Sequence, residues 1–331
     1  MAERAAVQKV PEQTVPQQKQ DRHFTDLHTL DPRKFEDARR KVITFESRVR
    51  HGIGMQKEKT LHSILKNYFD PDEDHQEIPI SGNYIADIWD GNEIIEIQNG
   101  NFYKMRDKLK NFLASYRVRV VYPIPAEKYI TWIDPETGLT GKRNRSPKHG
   151  SFYEAFRELY RIRPLLSEPN LTIHLMLIDM EEYRVQDGWD RSGKRGSHRY
   201  DRIPMQLRSE LILTCPQDYL AFLPYDLKEP FTSRDFAKSA GVRSAGFTTA
   251  LQILTDLHVV ERIGKKGRSY LYRISPDFTA GAADEKRLQP GSAKKQTKNT
   301  GRKSKTVSTK RTAANDRKSK PATEKKGRKK T

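Results

Sequence analysis

The stretch Tyr84–Gly100, YIADIWDGNEIIEIQNG, constrains this chain more than any other, because it places acids inside two runs that otherwise look buried. β-branched and aromatic residues on either side of Asp90-Gly91-Asn92 predict two antiparallel strands, Tyr84–Trp89 and Glu93–Gln98, joined by a tight turn. Side chains alternate with period 2, so a two-residue turn at Gly91-Asn92 pairs Asp90 with Glu93 and sets Asp87 opposite Glu96, with Gln98 on the same face. A turn at Asp90-Gly91 keeps that parity, and only an odd-length turn separates the two acids. Directly opposed residues have Cβ atoms about 5 Å apart, near enough for two carboxylates to share one hard divalent cation. Ile85, Trp89 and Ile94 crowd the acidic face, and Ile88, Ile95 and Ile97 point the other way, so neither face reads as solvated. Such a pair needs a proton, a basic partner or a metal. The alternative is an edge hairpin whose acids face water.

The flanking segments extend the pattern. Asn101–Tyr116 repeats Phe102, Met105, Leu109, Phe112, Leu113 and Tyr116 at helical spacing, with Lys104, Arg106, Lys108 and Lys110 on the other side. Arg117–Tyr122 reads as a strand stopped by Pro123 and parallel to the second hairpin strand. Upstream, Lys57–Phe69 predicts a helix with Leu61, Ile64, Leu65 and Tyr68 inward and with Glu58 and His62 on one stripe, and Gln76–Ile80 supplies a further strand.

This order over about residues 52–122, a helix with Glu, a strand, a strand with Asp, a strand with Glu-x-Gln, a helix and a strand, resembles the core of the PD-(D/E)xK nuclease superfamily. The resemblance implies an α/β fold with a restriction-endonuclease-like mixed sheet flanked by helices. It also implies that Asp87 and Glu96 bind Mg2+ or Mn2+, that Glu58 completes the metal site, and that Gln98 stands at the position that helps activate the attacking water. Two features depart from the pattern: no Pro-Asp precedes the turn, and Gln98 replaces the usual lysine. Lys57, Lys59 and Lys104 are candidates for the missing charge.

Charge is segregated along the chain. Lys286–Thr331 holds eighteen Lys or Arg against Asp316 and Glu324, which is +16 of the formal +19, so the rest is nearly neutral. Residues 279–331 are therefore expected to be a disordered polycation that anchors nucleic acid without regard to sequence, and residues 1–22 a polar leader outside the fold. Cys215 is the only cysteine, which excludes an intrachain disulfide framework and a cysteine-rich zinc site. No apolar run is long enough to span a membrane, so a cytoplasmic, nucleoid-associated protein is expected.

Residues 23–216 are assigned to the nuclease-like domain. Asp31-Pro32 starts a helix that continues to about Arg50. Further expectations are a strand at Lys128–Ile133, a basic loop at Lys142–His149 in which Lys142, Arg143 and Arg145 meet phosphates, a helix at Ser151–Leu166, and an apolar strand at Leu171–Asp179 with His174 in the core. Gly188–Asp201 reads as a second basic loop. In residues 217–278 a helix at Ser233–Ala240, begun by a capping box at Thr232 and Asp235, is followed by a Gly241 turn and a helix at Ser244–Leu257. Strands Val259–Ile263 and Ser269–Ile274 then flank a basic turn. This segment resembles a winged helix, with Arg243, Ser244 and Thr248 entering a groove and Lys265, Lys266 and Arg268 on the wing. Two functions are consistent with these features. One is a metal-dependent endonuclease hydrolysing DNA phosphodiester bonds, with RNA and a homodimer kept open. The other is a noncatalytic DNA-binding regulatory or architectural protein with a degenerate nuclease-like core.

Overall fold

The computed structural model describes residues 31–49, 60–81, 84–189, 195–241 and 247–278. The leader, the lysine-rich tail, Glu58, Arg243 and Ser244 lie outside the described residues.

A mixed sheet of seven strands forms the centre. In chain order its strands are β1 (Gln76–Ser81), β2 (Tyr84–Trp89), β3 (Glu93–Ile97), β4 (Arg117–Ile133), β5 (Asn144–His149), β6 (Leu171–Trp189) and β7 (Arg195–Leu213). They lie side by side as β1-β2-β3-β4-β6-β7, with β5 added to the far part of β4. β3, β4 and β6 run parallel and the other pairs are antiparallel. Helices flank the sheet: α1 (Pro32–Val49) and α2 (Thr60–Phe69) pack against each other and on β7, while α3 (Phe102–Leu113) crosses between β3 and β4. Asp31 caps α1, its Oδ1 accepting from the Arg33 and Lys34 amides at 3.1 and 2.9 Å.

Two apolar cores result. Leu61, Leu65 and Tyr68 of α2 meet Ile88, Ile95, Ile97, Val121, Met176 and Ile178. The residues predicted to point inward from α3, Phe102, Met105, Leu109, Phe112 and Leu113, are all buried in the other core, against Val118, Val120, Ile173 and Leu175. Burying side chains of this size stabilises the fold by about 1.5–3 kcal/mol each.

The hairpin is interior, since β1 flanks β2 and β4 flanks β3, and every residue of β3 is buried. The edge-hairpin alternative therefore fails. Ile85, expected to be crowded, is instead 47% exposed.

Several long elements depart from expectation. β4 does not stop at Pro123 but runs to Ile133. Val118 donates its amide toward the β6 side and Val121 accepts from Gln98 on the β3 side, so odd residues of β4 address β3. Pro123 and Pro125 therefore lack their N–H on the side where β3 has already ended, and no ladder bond is lost. The two expected basic loops are largely strand: β5 covers residues 144–149, and β6 and β7 form a hairpin reaching Trp189 and resuming at Arg195. The expected helix 151–166 is broken into two 3-10 turns around a single α-turn, α4 (Phe156–Leu159), with Pro164 in the last turn. Phe152, Phe156, Leu159 and Ile162 are nevertheless buried.

The C-terminal segment consists of α5 (Ser233–Ser239), α6 (Phe247–Asp256) and the hairpin β8 (Val260–Lys266) and β9 (Ser269–Ile274). Its capping box is present, with Thr232 and Asp235 bonded reciprocally. The hairpin is tighter than expected, for Gly264, Lys265 and Lys266 belong to β8 and the turn is Gly267-Arg268. Phe231 bridges to Tyr272. The chain changes architecture near residue 216 without any break in the core. Tyr153 lies 5.5 Å from Phe247 and Phe156 lies 4.5 Å from Phe222, and one apolar cluster includes both Ala86 and Ile274.

Candidate functional site

The site begins with the turn. Asp90 Oδ1 accepts from the Asn92 and Glu93 amides, both at 2.8 Å, and Gly91 takes φ 86°, where a side chain would be strained. The register Ile88↔Ile95 and Trp89↔Ile94 is that of a two-residue turn, and its continuation sets Asp87 opposite Glu96. Their bonds cross the strands. Ile97 N donates to Asp87 Oδ2 at 2.7 Å and Asp87 N donates to Glu96 Oε1 at 3.3 Å. Each carboxylate thus occupies a backbone amide of the other strand, which locks both side chains.

From there the two acids reach different helices. Asp87 Oδ2 lies 3.4 Å from His62 Nε2 on α2, whereas Glu96 Oε2 accepts from Lys108 Nζ on α3 at 2.6 Å. Glu77 on β1 completes the group: the pairs Gln76↔Ile88 and Ile78↔Ala86 place it across from Asp87. Glu77 has φ 55°, a left-handed conformation that costs a non-glycine residue about 1–3 kcal/mol. One ligand atom each from His62, Glu77 and Asp87 lie within 4.8 Å of one another. Lys66, one turn beyond His62 and almost fully buried, pairs with Glu77.

The electrostatics separate the two hairpin acids. Burial pushes Asp87 up, but hydrogen bonding and charge from His62, with the Ile97 amide, prevail and hold it below the usual carboxylate range. Glu96 is pushed up to about 7 by burial and by the charge of Asp87, against the opposing pull of Lys108. Environments that drive neighbouring carboxyl groups apart in this way equip one as a fixed anion and the other as a proton carrier near neutral pH.

Of the predicted site residues, Asp87 and Glu96 come together as expected, and Gln98 follows directly, its amide bonded to Val121 O at 2.9 Å. The described geometry groups His62 and Glu77 with Asp87, while Glu96 turns to Lys108. Lys108, assigned from the sequence to the outer face of α3, is largely covered and aimed at Glu96. Glu77 and Lys66 were missed. The signal for Glu77 was its place one strand before Asp87 in a short hairpin, and for Lys66 its position four residues after His62. In β5, Arg145 pairs with Glu127 at 2.5 Å, and nearby Arg143 pairs with Glu181 at 3.3 Å and covers the Tyr129 ring. These cations are thus already matched, and Lys142 is exposed. On the C-terminal hairpin Lys265, Lys266 and Arg268 are exposed, as is Thr248 on α6.

The model of one family, described as a domain of unknown function (DUF8091), matches residues 59–214. An uncharacterized protein of Treponema pallidum (strain Nichols) is 30% identical over 225 residues, covering 68% of this chain and 88% of its own length. No solved structure matches the chain. Among the described residues, no helix is long and apolar enough to cross a membrane. The matched span contains the entire sheet and every residue of the site above.

Proposed function

The chain belongs to the DUF8091 family, and we propose that it is a metal-dependent phosphodiesterase acting on DNA, an endonuclease of the PD-(D/E)xK kind. The observation that carries this reading is the convergence of His62, Glu77 and Asp87, with Glu96 bonded across to Asp87. A spread of 4.8 Å suits donors around one divalent cation, whose bonds to oxygen run about 2.0–2.6 Å. Two carboxylates and one imidazole favour Mn2+ over Mg2+, since magnesium prefers an all-oxygen shell. His62, Glu77 and Asp87 would hold the cation, with Glu58 outside the described residues.

A bound cation supplies a more acidic water and offsets charge on the phosphate. The protein does the rest. Asp87 stays anionic, Glu96 can accept or release a proton near neutral pH, and Lys108 places beside Glu96 the positive charge that a lysine at position 98 would otherwise bring. The Gln98 side-chain amide can orient a water. Targeting would fall to the C-terminal segment, where the order α5, α6, β8, β9 and the exposed Thr248, Lys265, Lys266 and Arg268 support a winged helix that docks on DNA. The polycationic tail would add salt-sensitive affinity and a nucleoid-associated place in the cytoplasm.

The test is cleavage of plasmid and branched DNA with Mn2+, Mg2+ or EDTA, comparing the parent with Asp87→Ala. Cleavage that needs the metal and Asp87 is expected; its absence from the parent under every metal condition overturns the reading. The noncatalytic alternative draws on the Lys66–Glu77 and Lys108–Glu96 pairs, which give two of the acids counterions from within the protein. It requires DNA binding without cleavage.

A further inference from the structure

One lysine stands inside the group of side chains that would hold the metal. Lys66 follows His62 by one turn of α2, so the two share a stripe of the helix. His62 Nε2 lies 3.4 Å from Asp87 Oδ2 on β2, and the Lys66 ammonium donates to Glu77 Oε1 on β1. Thus α2 sends toward one cluster an imidazole that can bind a cation and an ammonium that is itself a cation. Burial sets Lys66 apart from other paired lysines. Its side chain is 2% exposed, against 21% for Lys108 beside Glu96 and 50% for Lys41 beside Glu73.

A lysine stem ordinarily carries its ammonium out to water. Here the stem ends at a carboxylate instead, and Glu77, its backbone at φ 55° and its side chain 60% exposed, meets the ammonium from the solvent side. A cation on His62, Glu77 and Asp87 encounters that ammonium whichever Glu77 oxygen it takes. On Oε1 it must displace Lys66, and on Oε2 it sits across the width of one carboxylate from a like charge that water barely screens. In both cases the bond between Lys66 and Glu77 is broken or weakened before the ion is held. Imidazole and ammonium therefore act in opposite directions, since the His62 nitrogen favours a transition ion and Lys66 opposes every ion alike.

We propose, on the reading of His62, Glu77 and Asp87 as a metal site, that Lys66 is a built-in competitor for the metal: it occupies Glu77 until a divalent cation displaces it, and so sets the affinity that an ion must have to enter. The cost of displacing the ammonium is common to all ions and matters most to those that bind weakly. Mn2+, which takes a nitrogen ligand readily, can meet it, whereas Mg2+, which prefers oxygen, falls short at the same concentration. The lysine thereby keeps out weakly held ions without being a ligand.

The experiment uses the full chain, stripped of metal with EDTA and dialysed, and reads Mn2+ and Mg2+ binding by calorimetry and by the melting temperature. The parent is compared with Lys66→Met and, to read the effect of removing a lysine charge away from the site, with Lys41→Met of α1. Lys66→Met keeps an unbranched stem and removes the ammonium, while water can solvate the exposed Glu77, and melting in EDTA checks that it folds. Lys66→Gln, which removes the charge but keeps a donor for Glu77, serves where Met does not fold. Either variant should bind Mn2+ about tenfold tighter than the parent, the value of one charge-assisted bond that the ion no longer has to break, and should gain on Mg2+ by the same factor. Lys41→Met should keep the parental affinity, and adding Asp87→Asn to Lys66→Met should abolish binding. Parental or weaker affinity in the Lys66 variants, or tight binding that survives Asp87→Asn, overturns the role of Lys66, and the metal reading then stands wherever the parent binds Mn2+ through Asp87. No Mn2+ binding by any of these chains removes that reading and the role of Lys66 together.

Discussion

Glu96→Gln tests the electrostatics of the hairpin through stability alone. In the folded chain the Glu96 carboxyl is raised from 4.5 to about 7, by burial first and then by the charge on Asp87. The folded state therefore binds this proton more tightly than the unfolded state. Stability is lost as pH rises from about 4.5 to about 7, and it is flat above, where both states are ionised. At about 1.4 kcal/mol per pH unit, that window amounts to about 3 kcal/mol. Gln cannot titrate, so the variant should lack this component, and the parent-minus-variant difference should fall by about 3 kcal/mol across the window. Urea unfolding at half-unit steps from pH 4.5 to 8, in EDTA, measures it, and the remaining carboxylates cancel in the difference. A pH-independent difference refutes the raised pKa. Extended down to pH 3, a difference that grows as pH rises toward 4.5 means that Lys108, bonded at 2.6 Å, prevails over burial and holds Glu96 ionised.

Other expectations follow from single contacts. Mn2+ should raise the melting temperature of the parent by mass action and leave Asp87→Asn unmoved, as thermal melts with and without the metal will show. Glu77→Gln removes an ionic partner of the buried Lys66 ammonium and should cost about 2 kcal/mol in urea unfolding, partly offset by the exposure of Glu77. Leu65→Ala, fully buried between α2 and the sheet, should cost about 2–5 kcal/mol by the same measurement. Lys265→Glu with Arg268→Glu should weaken duplex binding by the full chain and flatten its salt dependence in fluorescence anisotropy.

How much of this was legible in the chain depends on the range over which each signal acts. The turn at Gly91-Asn92 and the register behind it are local, and they followed from Asp-Gly-Asn and strict alternation. The inward face of α3 was equally plain, because five apolar residues repeat over three turns. What could not be read were choices made by distant neighbours. Pro123 ends a strand only if its missing N–H faces a partner, and that depends on where β3 stops. Lys108 differs from Lys104 and Lys110 only in having Glu96 within reach. Glu77 carries no periodic mark; its role rests on an unusual φ within β1 and on α2 lying overhead. The pairs that Lys128, Arg184 and Arg202 make with the buried Glu182 join residues from 128 to 202 and exist only once β4, β6 and β7 are side by side.

The apolar cluster that passes from α3 through Phe156 to Phe247 and Ile274 carries a consequence for inheritance as well as for stability. A helix-and-hairpin segment with its own core can be cut out, duplicated or exchanged between genes. This one shares its interior with the sheet domain, so truncation at residue 216 would leave Tyr153, Phe156 and Leu159 facing water, and the released segment would lose the wall against which Phe222, Phe236 and Phe247 pack. The two parts should therefore melt in one transition, be lost together, and keep their relative placement, so that whatever the hairpin grips is presented to the sheet at a fixed angle rather than on a swinging tether.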